Sequence, residues 1–542
     1  MIGRPTVARL ALTLFLGVAA VPVQPASPLP ALGDGAEMSI GAERRLGDRI
    51  VRQLYRDPDY LDDPVLGDYV QGVWQRLLVS ARARGELLPE LEQRFAWDIL
   101  LGRDRSVNAF ALPGGYLGVH LGLIASVSSA DELASVMAHE LSHVTQRHIA
   151  RMVSRQEAQG PWVVAAMILG ALAVGSNPQA ASAVIAGGQA VAVQGQLNFS
   201  RDMEREADRV GYGVMTQAGF APQGFVSMFE KLQQASRLND TGGFPYLRSH
   251  PLTTERIADM QARHQLLGNT AGASQSMEHA LVSARARALS QSGQEGWRTL
   301  VRLAQTLPAQ SADPSQHAGV LYAAIRAQME LGDLTQAEPW LTQLDALVRK
   351  SSGPDTRALA GAATDTRAAT SGLAGADISG NTGANTGPNT GAGRLVRLLG
   401  AELALKKDQP QKALEWLNPL LKLSGKLPRP EQFLAAQALT RTEQSGLAAQ
   451  QLQTWLAQHP RDAQAWQLLA AANTAQGRTV SAIRAEAEAF ALHQDYEAAR
   501  NRLKAAQDLA RKSGGGDYIE MSIVDTRLRQ MEGRLREQAL ER

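Results

Sequence analysis

The chain has 542 residues, which is too long for a single hydrophobic core, so we expect at least two domains. Its 55 Lys and Arg residues balance 53 Asp and Glu residues without a block of one charge, which argues against a nucleic-acid partner. The chain has no cysteine, so disulfide bonds and lipid attachment through cysteine are both excluded.

Residues 1–20 have the pattern of a secretory signal peptide. Two arginines precede an apolar run that begins at Leu10, and small residues and prolines follow it. We expect cleavage after residue 20, with sites up to about residue 26 as the other option. An uncleaved membrane anchor is the alternative, although the apolar run is short for a span. An exported chain without cysteines fits the periplasm of a Gram-negative bacterium.

The stretch from about Ser39 to Gly160 mixes helical and strand patterns. The segment DPVLGDYVQGVWQRLLVSA repeats apolar residues at helical spacing. RFAWDILLG and GGYLGVHLGLI are alternating or apolar runs bounded by glycine, which is typical of strands. Between them, the prolyl and glycyl residues of SVNAFALPGG predict a hairpin turn. We therefore expect an α+β domain here.

The motif HELSH is the main functional signal, and the preceding SSADE is a capping-box pattern that predicts the start of a helix. On that helix His139 and His143 lie one turn apart, so their imidazoles could share one metal ion. Glu140 is placed to take a proton from a water molecule that the metal activates. The competing interpretation is an ordinary helix whose histidines bind no metal.

A catalytic zinc site normally takes three protein ligands, so one more ligand must come from elsewhere. In NFSRDMEREADRVGYGVM, Glu204 and Asp208 share a helix face, while Glu206 points roughly the opposite way. Glu204 is the candidate ligand, and Asp208 could accept a hydrogen bond from a ligand imidazole. Taken alone, this pattern is better explained as an ordinary acidic helix face.

After about residue 266 the composition favours helices. A period of 34 residues relates Ala448 to Ala482, and the intervening prolyl, tryptophyl and glycyl residues fall at the offsets of a tetratricopeptide repeat. We expect such repeats over 266–350 and 394–542, with a nonspecific Ala-rich bundle as the alternative. The Gly, Thr, Ala and Asn bias of 351–393 predicts a disordered insertion.

Four motifs, NAFALPGGY, HELSH, SRDMEREAD and SHPLTTERI, have an order and spacing that resembles the M48 family of zinc metallopeptidases. The export signal and the repeats narrow the resemblance to its periplasmic, repeat-bearing branch. The motifs cover roughly residues 37–265, whereas the repeat region is similar in architecture only. The resemblance implies an α+β zincin-type metallopeptidase domain, followed by an all-α tetratricopeptide-repeat solenoid.

The resemblance implies that His139, His143 and Glu204 bind one Zn²⁺ per chain. His250 and Arg256 match the family's HPxxxxR stretch near the metal, where either group could stabilise the oxyanion of a tetrahedral intermediate. His250 could instead occupy the fourth zinc position in a resting state, or be a loop histidine with a structural role.

Two further histidines, His120 and His148, are assigned to structure. A position five residues beyond His143 on a helix is rotated away from the metal-binding face, which is why His148 is not counted as a site residue.

The strand in GGYLGVHLGL resembles the edge strand of zincins, on which an extended substrate pairs through backbone hydrogen bonds. Asn108, Pro113, Gly114 and Gly115 are expected to shape its entrance, and Tyr116 to belong to it. Such pairing recognises the backbone of the substrate, so we expect little selectivity for its side chains.

By this resemblance the clients are unfolded or misassembled outer-membrane β-barrel proteins, and the partner is the barrel-assembly machinery. The alternative is a chaperone or assembly factor whose protease activity is repressed. Residues 161–193 form two Gly- and Ala-rich apolar stretches, the first about 15 residues long, against the roughly 20 that a membrane span needs. We expect them to pack under the active site; a lid, peripheral membrane contact and a membrane-embedded peptidase are the alternatives.

Overall fold

The computed structural model describes residues 38–154, 200–237, 243–266, 276–306, 313–351, 391–421, 427–512 and 518–540. The predicted signal peptide and the apolar segment 161–193 lie outside these residues, as does most of the predicted insertion. Among the described residues at the two ends of this insertion, Ser351 closes one helix and Gly391 begins another, in which Ala392 is buried.

The part of the chain up to residue 266 combines helices with a small sheet. Its helices are α1 (Ile40–Leu54), α2 (Pro64–Ala83), α3 (Pro89–Arg94), α4 (Leu121–Ser126), α5 (Ala130–Thr145), α6 (His148–Ser154), α7 (Arg201–Gln217), α8 (Gln223–Arg237), α9 (Tyr246–Ser249) and α10 (Thr254–Leu266). Its strands are β1 (Tyr60–Leu61), β2 (Asp98–Gly102), β3 (Ala109–Leu112) and β4 (Tyr116–His120). The expected α+β character of this part is confirmed.

The sheet is mixed, with strand order β1-β2-β4-β3. β2 pairs with β4 in parallel, while β1 with β2 and β3 with β4 are antiparallel. The predicted strand in RFAWDILLG, β2, does not form the hairpin, because it pairs with β4 in parallel. The hairpin at the predicted turn instead pairs β4 with β3, a strand that the sequence patterns did not single out. Gly114 and Gly115 in its turn have φ of 78° and 83°, and a Cβ on Gly115 would lie 2.7 Å from the Cβ of Phe95, so glycine is required at both positions.

The segment DPVLGDYVQGVWQRLLVSA forms most of the helix α2, as the spacing of its apolar residues predicts. Pro64 occupies the first turn, where its missing N–H costs nothing, and Asp63 caps the helix by accepting the Leu66 N–H at 2.8 Å. Its apolar face buries Trp74 completely, as part of a core that continues into α5. Burying a large apolar side chain of this kind contributes about 1.5–3 kcal/mol to the free energy of unfolding.

The helices α5 and α7 pack at close range, and this contact decides where the candidate metal ligands meet. A Cβ built on Gly211 of α7 would lie 3.0 Å from the backbone carbonyl of Ala138 and 3.1 Å from the backbone nitrogen of His139. The two backbones can approach this closely only because residue 211 has no side chain. The acidic first turn of α7 is thereby brought against the histidines of α5.

The remainder of the described chain is built from packed helices. They are α11 (Met277–Leu289), α12 (Gln294–Thr306), α13 (Pro314–Leu331), α14 (Leu334–Ser351), α15 (Gly391–Lys406), α16 (Pro410–Leu421), α17 (Arg429–Arg441), α18 (Ser445–Gln458), α19 (Ala463–Ala475), α20 (Thr479–Leu492), α21 (Tyr496–Lys512) and α22 (Tyr518–Leu540). The pair α17–α18 recurs as α19–α20 after 34 residues, since α17 and α19 begin at Arg429 and Ala463. Ala448 and Ala482, which the sequence period relates, are both buried.

Buried apolar side chains join the two parts, because one cluster runs from Val65 in α2 to Ala438 in α17. Arginines of the helical part add three ionic contacts across the junction. Their acidic partners in the first part are Asp63 for Arg285, Asp68 for Arg394 and Asp62 for Arg429.

None of the helices in the described ranges combines the length and the apolar composition that crossing a membrane requires.

Candidate metal centre

The histidines of HELSH lie on α5, whose first turn is capped as the sequence predicts. Ser129 accepts the Glu132 N–H at 3.2 Å, and the Glu132 carboxylate accepts the Ser128 N–H at 2.6 Å. His139 and His143 follow on the helix and are both buried. The cap therefore fixes the start of the helix that presents both imidazoles.

Four buried side chains converge at this point: His139, His143, Glu204 and His250. One ligand atom from each lies within 4.8 Å of the others. Nε2 of His139 lies 3.0 Å from Nε2 of His143 and 3.4 Å from Nδ1 of His250. Oε1 of Glu204 lies 3.0 Å from Nδ1 of His250 and 3.5 Å from Nε2 of His143.

These separations match the requirement of one small metal ion. Four donors at about 2.0–2.1 Å from a tetrahedral ion lie about 3.3 Å from one another. The four separations given above, 3.0–3.5 Å, bracket that value. Three imidazole nitrogens and one carboxylate oxygen form a set typical of zinc, so the donor chemistry and the geometry agree.

Glu140 lies beside this group and is fully buried. Its Oε2 accepts the backbone N–H of Ala111 in β3 at 2.9 Å, and its Oε1 lies 3.4 Å from Nε2 of His250. Glu140 is thus held between the metal-binding group and the sheet, where a carboxylate could act as a general base.

The carboxylate of Asp208 faces Nδ1 of His139 at 2.9 Å, on the side of the ring opposite the donor atom. Arg256 donates to both oxygens of Asp208, and its Nη1 lies 2.7 Å from Oε2 of Glu204. Burial opposes ionisation of both carboxyls, but Arg256 and His139 together outweigh it at Asp208, and His250 and His139 together outweigh it at Glu204, so the pKa of each carboxyl lies below its usual range. Arg256 is therefore engaged with the carboxylates of Asp208 and Glu204.

The two α5 imidazoles have different environments. Burial disfavours the charged form of His139, but hydrogen bonding to Asp208 and Glu204 overrides it and raises the pKa of His139 to about 10. Burial and the neighbouring His139 instead hold the pKa of His143 well below its usual value. Two adjacent imidazoles cannot both carry a proton on the inner nitrogen, and a bound cation would replace that proton.

His250 is held in place by the segment that precedes it. Val107, just before β3, donates its N–H to the carbonyl of Gly243 at 2.8 Å, which docks this segment beside the sheet. The ring of Tyr246 lies 4.5 Å from the His250 ring at a 30° angle, and both residues are buried. Tyr246 was not among the residues that the sequence singled out, because only the HPxxxxR stretch carried a recognisable pattern.

The prediction that the strand in GGYLGVHLGL lies at the edge of the sheet was wrong. β4, which holds Tyr116, pairs on both sides and lies inside the sheet, whereas β3 has β4 as its single partner strand among the described residues. The hydroxyl of Tyr116 instead donates to Asp48 of α1 at 2.6 Å. The turn of Pro113 to Gly115 also packs on α1, since a Cβ on Gly47 would collide with the carbonyl of Pro113. The sequence patterns predict β2 and β4, but the order of the strands depends on long-range pairing.

Asn108 lies at the start of β3, where its carbonyl accepts the His120 N–H at 3.0 Å. His120 contacts Ser106 through Nδ1 at 3.0 Å, away from the four-donor group, as its structural assignment implies. The edge nearest the candidate metal centre is therefore formed by Ala109 to Leu112, with Asn108 preceding it.

His148 lies outside the four-donor group, as its structural assignment implies, but the reason given for that assignment was wrong, because His148 is not on the same helix as His143. α5 ends at Thr145, and Arg147 adopts a left-handed φ of 52°, so the chain turns before α6 begins. That turn brings Nδ1 of His148 to 2.8 Å from Nδ1 of His143. Glu206, on the other face of α7, lies 3.0 Å from Nε2 of His148.

The chain resembles known proteins over the region that holds this site. Residues 70–264 match the model of peptidase family M48. A putative beta-barrel assembly-enhancing protease of Vibrio cholerae is 33% identical over 323 residues, which cover 58% of this chain and 63% of that protein. The beta-barrel assembly-enhancing protease of Escherichia coli is 36% identical over 243 residues, or 44% and 47% of the two chains.

A more distant relative is the mitochondrial metalloendopeptidase OMA1 of Saccharomyces cerevisiae, which is 27% identical over 199 residues, or 35% and 54% of the two chains. The matches therefore span about half to two thirds of the length of these relatives. All four donors of the metal-binding group, as well as Glu140, fall inside the matched residues. Residues 70–264 thus resemble peptidase family M48, and they contain a buried group of three histidines and one glutamate that could hold a metal ion.

Proposed function

We propose that the protein is a zinc-dependent endopeptidase. The observation that carries the proposal is the convergence of His139, His143, Glu204 and His250 within the M48 match, with Glu140 beside them. A zinc ion bound there would supply Lewis-acid polarisation of a peptide carbonyl and of an attacking water. Glu140 would take a proton from that water and deliver a proton to the leaving amine.

The donor arrangement supports a resting state in which the site is closed. Catalytic zinc sites keep three protein ligands and one open position, whereas four protein donors resemble a structural site. His250 supplies the fourth donor through Nδ1, and its Nε2 lies 3.4 Å from Oε1 of Glu140. The same ring thus stands where water would bind and faces the proposed general base. In this proposal His250 must move aside before a substrate is cut.

The outer edge of β3 is the proposed surface for substrate. The Ala111 N–H points away from β4 and is donated to Glu140. An extended peptide that pairs with β3 would compete for this N–H and release the carboxylate for proton transfer. Pairing through the backbone predicts broad side-chain tolerance.

The helical part is proposed to be a tetratricopeptide-repeat solenoid that recruits clients or docks the enzyme. Helix pairs that recur after 34 residues support this assignment. The names of the Vibrio cholerae and Escherichia coli relatives support a role in β-barrel assembly. The proposed clients are therefore misassembled outer-membrane β-barrel proteins in the periplasm, with the barrel-assembly machinery as partner.

Metal content measured together with casein cleavage tests the enzymatic proposal. We expect stoichiometric zinc in the wild type and in Glu140→Gln, with casein cleavage lowered about 10²–10⁴-fold in the variant because the general base is lost. We expect His250→Ala to keep zinc and to cleave faster than the wild type. A folded wild-type protein without zinc would contradict the proposal.

A chaperone or assembly factor with repressed protease activity is the second candidate, and the fourth donor from His250 favours it. The discriminating strain carries Glu140→Gln as its single copy of the protein. Normal barrel assembly in that strain would support the chaperone function. Accumulation of misassembled barrels would support proteolysis.

A further inference from the structure

His143 has a second set of contacts on the side of its ring that faces away from the metal-binding group. Its Nδ1 lies 2.8 Å from Nδ1 of His148, which is completely buried. Nε2 of His148 lies 3.0 Å from Oε2 of Glu206, and Arg151 donates to the same oxygen at 3.0 Å. Four side chains from three helices therefore form one line from the metal-binding group to the surface.

The positions of the protons along this line follow from the geometry. Nε2 of His143 faces the other donors, so it must be unprotonated to bind a metal, and the ring proton must be on Nδ1. Two nitrogens 2.8 Å apart share one proton, so Nδ1 of His148 accepts it. The proton of His148 is then on Nε2, where the Glu206 carboxylate accepts it. Each ring nitrogen of His143 and His148 thus has one role, as metal ligand, hydrogen-bond donor or hydrogen-bond acceptor, and these roles are mutually consistent.

We propose that His148 and Glu206 are positioning residues for the metal, acting through His143. Their hydrogen bonds fix the tautomer and the orientation of the His143 ring, and the carboxylate strengthens the ring as a ligand by polarising it through His148. The inference rests on the metal site put forward under the proposed function and adds residues that the motifs did not mark.

A comparison with His139 supports this role. His139 faces the carboxylate of Asp208 directly, and Arg256 binds that carboxylate. His143 reaches its carboxylate through His148, and Arg151 binds it. Each ligand imidazole is thus connected, directly or through His148, to a carboxylate that is paired with an arginine. The two arms differ in exposure, because the Asp208 side chain is 2% exposed and that of Glu206 is 30% exposed.

The exposure of Glu206 separates positioning from mere packing. Water can hydrate a carboxylate that is one-third exposed, so Glu206 needs no partner in the interior to compensate for its partial burial. The charge of Glu206 can instead polarise His148, which is not exposed to solvent. Loss of the charge should therefore change metal binding more than it changes the fold.

The test uses the full-length protein stripped of metal. Zinc affinity is measured by competition with a chelator, and the absorption spectrum of the Co²⁺-loaded protein reports on the ligands. The variants are His148→Leu, which removes the acceptor, His148→Asn, which keeps an acceptor near the position of Nδ1, and Glu206→Gln, which keeps an acceptor without charge. Asp202→Asn, on the exposed face of α7, is the matched charge control.

We expect His148→Leu to weaken zinc binding about 10–100-fold and Glu206→Gln to weaken it by a smaller factor, both with altered Co²⁺ spectra. His148→Asn should restore much of the affinity, and Asp202→Asn should match the wild type. Wild-type affinity in both Glu206→Gln and His148→Leu would overturn the inference, as would a loss in His148→Asn equal to that in His148→Leu. A wild type that binds no zinc would instead refute the metal site itself.

Discussion

Arg256 and Asp208 are joined by two buried hydrogen bonds, from Nε to Oδ2 at 2.6 Å and from Nη2 to Oδ1 at 2.8 Å. The pair connects the segment that carries His250 to the helix that carries Glu204, and Asp208 in turn faces His139. The arginine that the family motif marks therefore organises the carboxylates around the metal-binding group. This contact ties together parts of the chain that are far apart in sequence.

Replacing Arg256 with methionine should destabilise the metal-free protein. Removal of one partner from a buried ion pair leaves a buried charge without compensation, which typically costs about 3–5 kcal/mol. Urea unfolding in the presence of a chelator measures the change. Arg205→Met is the matched control, because Arg205 pairs with Asp202 and Glu255 at the surface, and we expect it to unfold like the wild type. Equal stability of the two variants would contradict the prediction.

The close packing of α5 and α7 gives a second prediction. Alanine at Gly211 would place a Cβ 3.0 Å from the Ala138 backbone, so the helices must separate by a few tenths of an ångström. Glu204 would then move relative to His139 and His143, and zinc affinity should fall although no ligand has changed. Gly213→Ala is the control on the same helix, because the nearest group there is the end of the Arg84 side chain, which can move. Chelator competition on both variants checks the prediction.

If Gly211→Ala and Gly213→Ala bind zinc equally well, the helix spacing does not limit the metal site. A stability loss in Gly211→Ala without a change in affinity would show that the clash relaxes away from Glu204.

The junction between the two parts of the chain yields a third prediction. Arg285 is buried and binds Asp63 in the first part and Glu402 in the helical part, at 2.7 Å in each case. Arg285→Met leaves two acidic groups facing each other, so we expect a loss of about 3–5 kcal/mol in unfolding free energy. Arg349→Met is the control, because Arg349 pairs with Asp345 at the surface. A similar small loss in both variants would argue against an ionic junction.

Much of the candidate site was predictable because its signals are local. The spacing of His139 and His143 and the capping pattern before them depend only on helix geometry. The pairing with Glu204 needed the family resemblance, since an acidic helix face alone has many explanations. The turn between β3 and β4 was likewise predictable from Gly114 and Gly115, although β3 itself was not.

What sequence patterns missed depends on changes in chain direction. The helix pattern through HELSHVTQRH gives no warning that Arg147 adopts a left-handed conformation, and without that turn His148 would point away from His143. The order of the strands was hidden for a similar reason. β2 pairs in parallel with β4, although β3 lies between them in the sequence. This pairing cannot be predicted from the residue pattern of either strand. The end of GGYLGVHLGLI also forms the helix α4 rather than a longer strand.

The acid response of the junction gives the last prediction. Asp63 is buried, which opposes its ionisation, but Arg285 outweighs burial and lowers the pKa of Asp63 below its usual value. A carboxyl whose folded-state pKa is depressed contributes stability above its unfolded pKa of about 3.9 and loses it as the pH falls through the folded value. Asp63→Asn removes this titration and keeps the cap on α2, because asparagine caps as well as aspartate.

The unfolding free energy of the metal-free wild type and of Asp63→Asn should be measured by urea titration between about pH 3 and pH 7. We expect the variant to be less stable at neutral pH, and the difference between the two proteins to shrink as the pH falls below about 4. Asp345→Asn, at the partly exposed pair with Arg349, should show almost no pH-dependent difference from the wild type. A constant difference between wild type and Asp63→Asn across the whole range would mean that Asp63 is not charged in the folded protein, and the ionic contact with Arg285 would then have to be discarded.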